Sequence, residues 1–452
     1  VHEFTPETQV VADEILEYAL GRMKMDPVPL DGPRSLEELA AQAGSTITAE
    51  GLGGIETLRL FGEVLAPACI SVDNPRYLSF IPNAPTEFSS LFDLVVGASG
   101  LYGGSWLEGS GAVYAENQAL RWIADLAGFP KDAGGVFVQG GTLGNLSALV
   151  AARDHMRRKS EHAGRWAVAC SEESHSSIST AARVMDVDVV DCQVDSEGRL
   201  RGAAVDAAIE EYESNLNGKV FAVVATAGTT NLGIVDDLES VGEVARRKGL
   251  WFHVDGAYGA AALAAPSVRH LFDGIELADS FVVDPHKWLF APLDACALIY
   301  RQPAIAKRAH TQHASYLESL HNEDAEWNPS DYAVHLSRRA RGLPFWFSLA
   351  AHGTRAYTEA IEETLRVARA GARLIEANPN CELLREPELS VVAFTRNGWT
   401  ATDYQQWSDR LLAEQVAFVM PSAHHGKPIL RFAIVNPRTS EADLAAILDT
   451  LA

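Results

Sequence analysis

Between about residues 110 and 300, short apolar runs recur between longer stretches of helical periodicity. The runs are GGVFVQ, RWAVAC, DVDVVDC, KVFAVVAT, LWFHVD, DSFVVD and ACALIYR, and the stretch AVYAENQALRWIADLAGF ahead of them reads as a helix. Strands that alternate with helices predict a mostly parallel sheet covered on both faces.

The flanks differ from this centre. Residues 1–95 read as an N-terminal helical segment, with Thr5 as cap and Pro6 at the first helical position of one helix. PRSLEELAAQ starts another, and DNPRYLSFIPNAP is expected to be irregular. Residues 305–336 read as a polar loop, and PFWFSLAAHGTRAYTEAIEETLRVARAGARLIEA as one long helix. The tail is expected to hold strands in LSVVAFTR, VAFVM and ILRFAIVN, then a helix capped by Ser440 with Asp443 three residues on. The boundaries expected are 1–95 for the helical segment, 96–370 for a large α/β domain and 371–452 for a small α+β domain.

Parallel sheets bind ligands outside the carboxyl ends of their strands. The residues able to do chemistry fall there: Gly140-Gly141-Thr142 after VFVQ, His175 after AVACSEES, Thr226 after AVVA, Asp255 after WFHV and Lys287 after FVVDPH. A glycine turn that opens a helix offers free N–H groups to a phosphate, although such turns are also ordinary connections. A buried carboxylate such as Asp255 needs a partner, and a protonated ring nitrogen is one; a helix cap is another. A partly desolvated lysine can form a Schiff base with an aldehyde, although a lysine at a strand end is more often simply solvated. His253 lies two residues before Asp255, on the same side of the strand, as a supporting polar group. The pair His424-His425 has no third ligand nearby and reads as loop rather than metal site. Taken together and in this order, the strand-end residues describe a site for pyridoxal 5'-phosphate.

Composition narrows the partners. A formal charge of −23 argues against nucleic acid and anionic membranes. Five scattered cysteines without a C-x-x-C spacing suit a reducing, cytoplasmic setting and no zinc site.

The motifs NPRYLSFIPNAP, GLYGGSWLEGSGAVYAENQ, GGVFVQGGTLGNLSALVAAR, SHSSISTAA, VVATAGTTNLGIVDD, HVDGAYG, DPHKW, ASYLES and LRFAIVNPRT carry a resemblance. From about residue 10 to its end, the chain resembles the group II pyridoxal-phosphate-dependent amino-acid decarboxylases, the aromatic L-amino-acid decarboxylase relatives, of aspartate aminotransferase fold type I. The resemblance implies that Lys287 forms the Schiff base, that Asp255 keeps the pyridine nitrogen protonated, and that Ala257 and His175 cover the two faces of the ring. It implies phosphate contacts from Gly141, Thr142 and the backbone of Leu143, a place for Thr226 beside the cofactor, and one for His286 near the phosphate. Tyr316 matches a mobile-loop tyrosine that returns a proton to Cα after CO2 leaves. The family builds its sites at a dimer interface, so a homodimer is expected, with Tyr102 reaching the partner's site.

Two departures bear on the substrate. Gly104 stands where relatives carry a bulky aromatic, so Phe80, Asn83, Tyr102 and Gly104 are candidates to shape the pocket. Asp284 stands where some relatives carry asparagine, and would repel a phosphate unless paired or turned away. The product expected is the amine of an aromatic amino acid. Alternatives are an aldehyde synthase, a decarboxylase of acidic or unusual amino acids using Arg76, and an aminotransferase using Arg431.

Overall fold

The computed structural model describes residues 2–216, 218–313, 315 and 326–452. Each of the seven apolar runs forms a strand: β1 (Gly134–Val138), β2 (Trp166–Ser171), β3 (Asp188–Cys192), β4 (Lys219–Thr226), β5 (Trp251–Asp255), β6 (Ser280–Val283) and β7 (Cys296–Tyr300). They make one sheet in the order β1-β7-β6-β5-β4-β2-β3. β7 is antiparallel to both neighbours and the other strands run parallel. β2, β5, β6 and β7 are buried along their whole length, because helices cover both faces of the sheet. That is why these strands read as continuous apolar runs instead of alternating ones. This is the mostly parallel sheet, covered on both faces, that the fold type I resemblance implies.

A second sheet, antiparallel, comprises β8 (Cys381–Leu383), β9 (Val391–Arg396), β10 (Ser422–His424) and β11 (Lys427–Ala433) in the order β10-β11-β9-β8. Its core joins Val392, Phe394, Leu430 and Phe432 to Trp407 and Leu411 of the helix Ala401–Ala413 and to Leu444 of the last helix. That last helix has the expected capping box, Ser440 with Asp443. The first helix, Pro6–Met23, is capped by Thr5 with Pro6 at its start.

Three expectations are corrected. VAFVM is not a strand; it makes one isolated bridge, Tyr77 to Phe418. Residues 305–310 are not loop but part of the helix Pro303–His310. Proline opens that helix, and Ile305, Ala306 and Ala309 pack into the core beside the helix Gly141–Arg158. The long helix after Leu343 is two, Leu343–His352 and Thr354–Ala377, broken at Gly353 with φ +77°, a conformation glycine adopts without penalty. No helix among the described residues is long and apolar enough to cross a membrane.

Candidate active site

The carboxyl ends of β1, β2, β4, β5 and β6 lie along one edge of the sheet, and a cleft of roughly 430 Å³ opens there. It is lined by Gly140, Gly141, Thr142, His175, Thr226, Asp255, Ala257, His286 and Lys287, together with Phe80.

The glycine turn comes first in the chain. β1 ends at Val138, and the helix Gly141–Arg158 begins three residues later. The first intrahelical bond runs from the Gly144 N–H to the Gly140 carbonyl at 3.0 Å. The N–H groups of Gly141, Thr142 and Leu143 precede it, so the helix itself offers them no acceptor. A Cβ on Gly141 would stand 2.9 Å from Ala257 Cβ and 3.2 Å from Asp284 Oδ2. Glycine therefore lets the turn close down on both neighbours. The side chain of Leu143 faces an adjoining apolar hollow with Leu146 and Val184 rather than the cleft, so only its backbone can serve a phosphate.

Asp255 ends β5, 5% exposed. Its Oδ1 accepts from the Ala257 N–H at 3.1 Å and its Oδ2 from Asn145 Nδ2 at 2.8 Å. Two donors suit a charged carboxylate. His175 caps the helix Ser176–Met185, its Nδ1 accepting from the Ser177 N–H at 3.2 Å. Thr226 ends β4 beside Asp255 in the sheet register. Its N–H donates to Asp236 at 2.7 Å, while its buried Oγ1 has no partner among the described residues.

Lys287 follows β6 in the short helix Pro285–Trp288. Its Nζ is 2.9 Å from Asp284 Oδ2, and His286 Nε2 is 3.7 Å from the same oxygen. Burial alone would raise the Asp284 carboxyl, but Lys287 and His286 outweigh it and hold it below the usual range. Burial works against the Lys287 ammonium in turn, and Asp284 more than offsets this, so the lysine sits above its usual value. Asp284 is thus paired, which answers the repulsion its position raises. The Trp288 ring stacks on Tyr258 at 5.2 Å and donates to Thr364 at 2.9 Å, fixing the base of the lysine segment.

The proposed substrate-pocket residues separate. Phe80 lines the cleft, 56% exposed, with φ +52°. Asn83 does not line it: it is buried, and its amide donates to the carbonyls of His286 and, at 2.7 Å, Ala291. Asn83 braces the lysine segment from behind. Tyr102 and Gly104 are not among the cleft-lining residues of this chain. The Tyr102 hydroxyl donates to the Leu336 carbonyl at 3.1 Å, and a Cβ on Gly104 would meet that hydroxyl at 2.3 Å. Arg76 does not line the cleft either. Arg431 is buried; its Nη1 donates to the Phe80 and Thr230 carbonyls at 2.8 and 3.0 Å, and burial pulls its guanidinium down to about 10. It holds two cleft-lining backbone segments in place. Tyr316 lies outside the described residues.

Sequence reasoning missed Asn145, Ser177, Ile81, Thr230, Leu293 and Asp294, all at the cleft. For Asn145 a signal existed. It is one helical turn beyond Gly141, on the same face, and is one of the two polar residues, with Ser147, of the run LGNLSALVAA.

These features suit pyridoxal phosphate. An anion fits the unpaired N–H groups of the glycine turn. Thr226 Oγ1 is a buried hydroxyl in want of a partner, which is rare without a ligand to meet it. Asp255 can hold a ring N–H, and Lys287 offers an amine to an aldehyde.

Comparison with known proteins points the same way. Among solved structures, Oryza sativa TDC with PLP and tryptamine superposes with a TM-score of 0.88 at 24% identity, covering 99% of each chain. Mouse CSAD gives 0.87 at 24% identity, covering 98% of this chain and 97% of its own. The aromatic-L-amino-acid decarboxylase of Bacillus atrophaeus is 29% identical over 83% of this chain and 80% of its own length. The 3,4-dihydroxyphenylacetaldehyde synthase of Aedes aegypti is 26% identical over 98% and 88%. Residues 57–397 match the pyridoxal-dependent decarboxylase conserved domain, the stretch that contains the glycine turn, Asp255 and Lys287, and the chain belongs to that family of enzymes.

Proposed function

We propose that this chain decarboxylates an aromatic L-amino acid to its amine and CO2, with Lys287 as the cofactor-bearing amine. The observation that carries the reading is the convergence of Lys287, Asp255, His175, Thr226 and the Gly141-Thr142 turn on one cleft. When bound, the cofactor supplies the electron sink for the pair left behind by CO2. The N–H groups of Gly141, Thr142 and Leu143 anchor the phosphate, and Asp255 holds the ring nitrogen's proton. Ala257 and His175 flank the ring. Asp284, 2.9 Å from Lys287 Nζ, receives the lysine ammonium whenever the substrate amine takes its place. Tyr316 is assigned the return of a proton to Cα by resemblance.

The cleft favours an aromatic side chain over an acidic one. Phe80, Ile81 and Leu293 give it apolar walls. Lys287 is the one lysine or arginine among its described lining residues, and it already faces Asp284. A carboxylate side chain would find no second lysine or arginine among those described residues.

We also propose a homodimer. Val10, Ile15, Leu16 and Leu20 are exposed on the first helix, and Leu107 and Tyr114 are exposed further on. A surface of this kind in a well-packed chain marks an interface. The five free cysteines suit the cytoplasm.

The test is to incubate the cofactor-loaded enzyme with aromatic, acidic and basic L-amino acids and follow CO2, organic product and O2. Amine and CO2 in equal amounts from an aromatic substrate, without O2 uptake, is the expected result. Aldehyde with O2 uptake would replace this reading with an aldehyde synthase, and turnover of glutamate or diaminobutyrate alone would overturn the substrate class.

A further inference from the structure

From the wall of the cleft a set of hydrogen bonds runs back into the core, and the reading above uses only its Asp255 and His175 ends. Trp251 Nε1 donates to Ser280 Oγ at 2.9 Å, and Ser280 Oγ is 2.8 Å from His253 Nδ1. His253 Nε2 is 2.9 Å from Asn145 Oδ1, and Asn145 Nδ2 is 2.8 Å from Asp255 Oδ2. The same Nδ2 donates to Ser177 Oγ at 2.9 Å, and Ser177 Oγ is 2.9 Å from His175 Nδ1. Asn145 is 1% exposed, and His253 and Ser280 are fully buried.

The direction of this chain follows from its ends. An indole N–H only donates, and a carboxylate only accepts. Asn145 must turn its amide nitrogen to Asp255, since its oxygen there would put two acceptors 2.8 Å apart. Its oxygen therefore faces His253, so the His253 proton is on Nε2 and Nδ1 accepts from the Ser280 hydroxyl. Burial pulls His253 down to about 4, so the ring is neutral, as a one-way chain requires. At the other branch the Ser177 N–H, which can only donate, points at His175 Nδ1 at 3.2 Å. That nitrogen is an acceptor, and the proton of a neutral His175 is on Nε2.

We propose that Asn145 is a positioning residue that couples the two groups clasping the cofactor ring. One amide hydrogen aims the Asp255 carboxylate, and the other, through Ser177, sets the tautomer and orientation of His175. His253, backed by Ser280 and Trp251, fixes which way the amide points. Outer partners that lock ligand orientation in this way commonly govern affinity at metal sites, and the same physics applies to a ring N–H. The proposal rests on the assignment of Asp255 and His175 to the cofactor.

The test measures affinity of the cofactor-free protein for pyridoxal phosphate by fluorescence quenching, beside thermal melts of each variant. Asn145→Ala is expected to weaken binding roughly ten- to a hundredfold, the loss of a hydrogen bond to a charged group, and His253→Leu roughly three- to tenfold, the loss of a neutral one. His253→Gln, which keeps an N–H toward Asn145, is expected to recover most of the loss. Wild-type affinity in Asn145→Ala, or equal affinities in the Gln and Leu variants, overturns the proposal. Asp255→Ala separates the two levels: if it binds as wild type does, the assignment of Asp255 itself falls. Should Asn145→Ala fail to fold, the His253 pair still decides. Side-chain 15N spectra of the cofactor-free wild type give a further reading. An Nε2–H tautomer at His253 supports the chain, and an Nδ1–H tautomer contradicts it.

Discussion

Two helices of similar length show how differently this chain treats its parts. Gly141–Arg158 buries Gly141, Gly144, Asn145, Ser147, Ala148, Leu149, Ala151 and Ala152. No residue of Pro6–Met23 is fully buried. Gly141–Arg158 lies against the sheet and carries the glycine turn and Asn145 into the cleft. Pro6–Met23 is well capped yet leaves Val10, Ile15, Leu16 and Leu20 exposed. The residues proposed for the floor of the site all come from one chain, and the strands that carry them are buried on both faces. The N-terminal helix packs one side on its own chain, Tyr18 against Phe61 at 5.9 Å, and leaves the apolar residues of its other side uncovered.

The sharpest way to break the contrast is at the floor. Lys287→Ala is expected to lower turnover by roughly 10³-fold or more and to abolish the visible absorbance of the loaded protein, with an unchanged fold by circular dichroism. Asp255→Asn should lower kcat by roughly a hundredfold with a smaller effect on KM, as measured by steady-state kinetics. At the outer surface, Leu16→Glu with Leu20→Glu should weaken self-association by roughly tenfold or more. Sedimentation would show this, and activity would become dependent on protein concentration. A fully active monomer would end the claim of an interface.

Smaller effects sharpen the account of the floor. Thr226→Val removes a buried hydroxyl that has no partner among the described residues. The cofactor-free protein should melt slightly higher, by about 1 kcal/mol of stability, while affinity for pyridoxal phosphate falls. The least effect on activity is expected at Asp236, which accepts from the Thr226 and Leu200 N–H groups. Burial raises this carboxyl to about 7 from 3.8. The folded chain then binds a proton that the unfolded chain has lost, so ionisation destabilises the fold as pH rises through that window. The stability of wild type relative to Asp236→Asn should fall between about pH 4 and pH 7 and level off above. Denaturant melts across pH check the sign.

Much of this was legible in the sequence. All seven strands of the large sheet were, because strands covered on both faces are apolar throughout, and the candidate residues that share the cleft do so because they stand where those strands end. VAFVM failed because an apolar run can be buried by loops as well as by a ladder. The helix after Pro303 failed because its lysine, arginine and histidine look like loop, while only Ile305, Ala306 and Ala309 carry the packing signal. Asn83 looked like a pocket residue because it stands among aromatics, yet its amide is spent on two carbonyls behind the lysine. Asn145 was missed because its partners, His253, Ser177 and Asp255, are distant in sequence and meet only once the sheet has formed.

The central claim is that Lys287 carries the cofactor, and its most direct measurement is borohydride reduction of the loaded enzyme, proteolysis and mass mapping. The account predicts one phosphopyridoxyl group per chain, on the peptide that contains Lys287. A label on another lysine, or none on a protein that still turns over substrate, would contradict it.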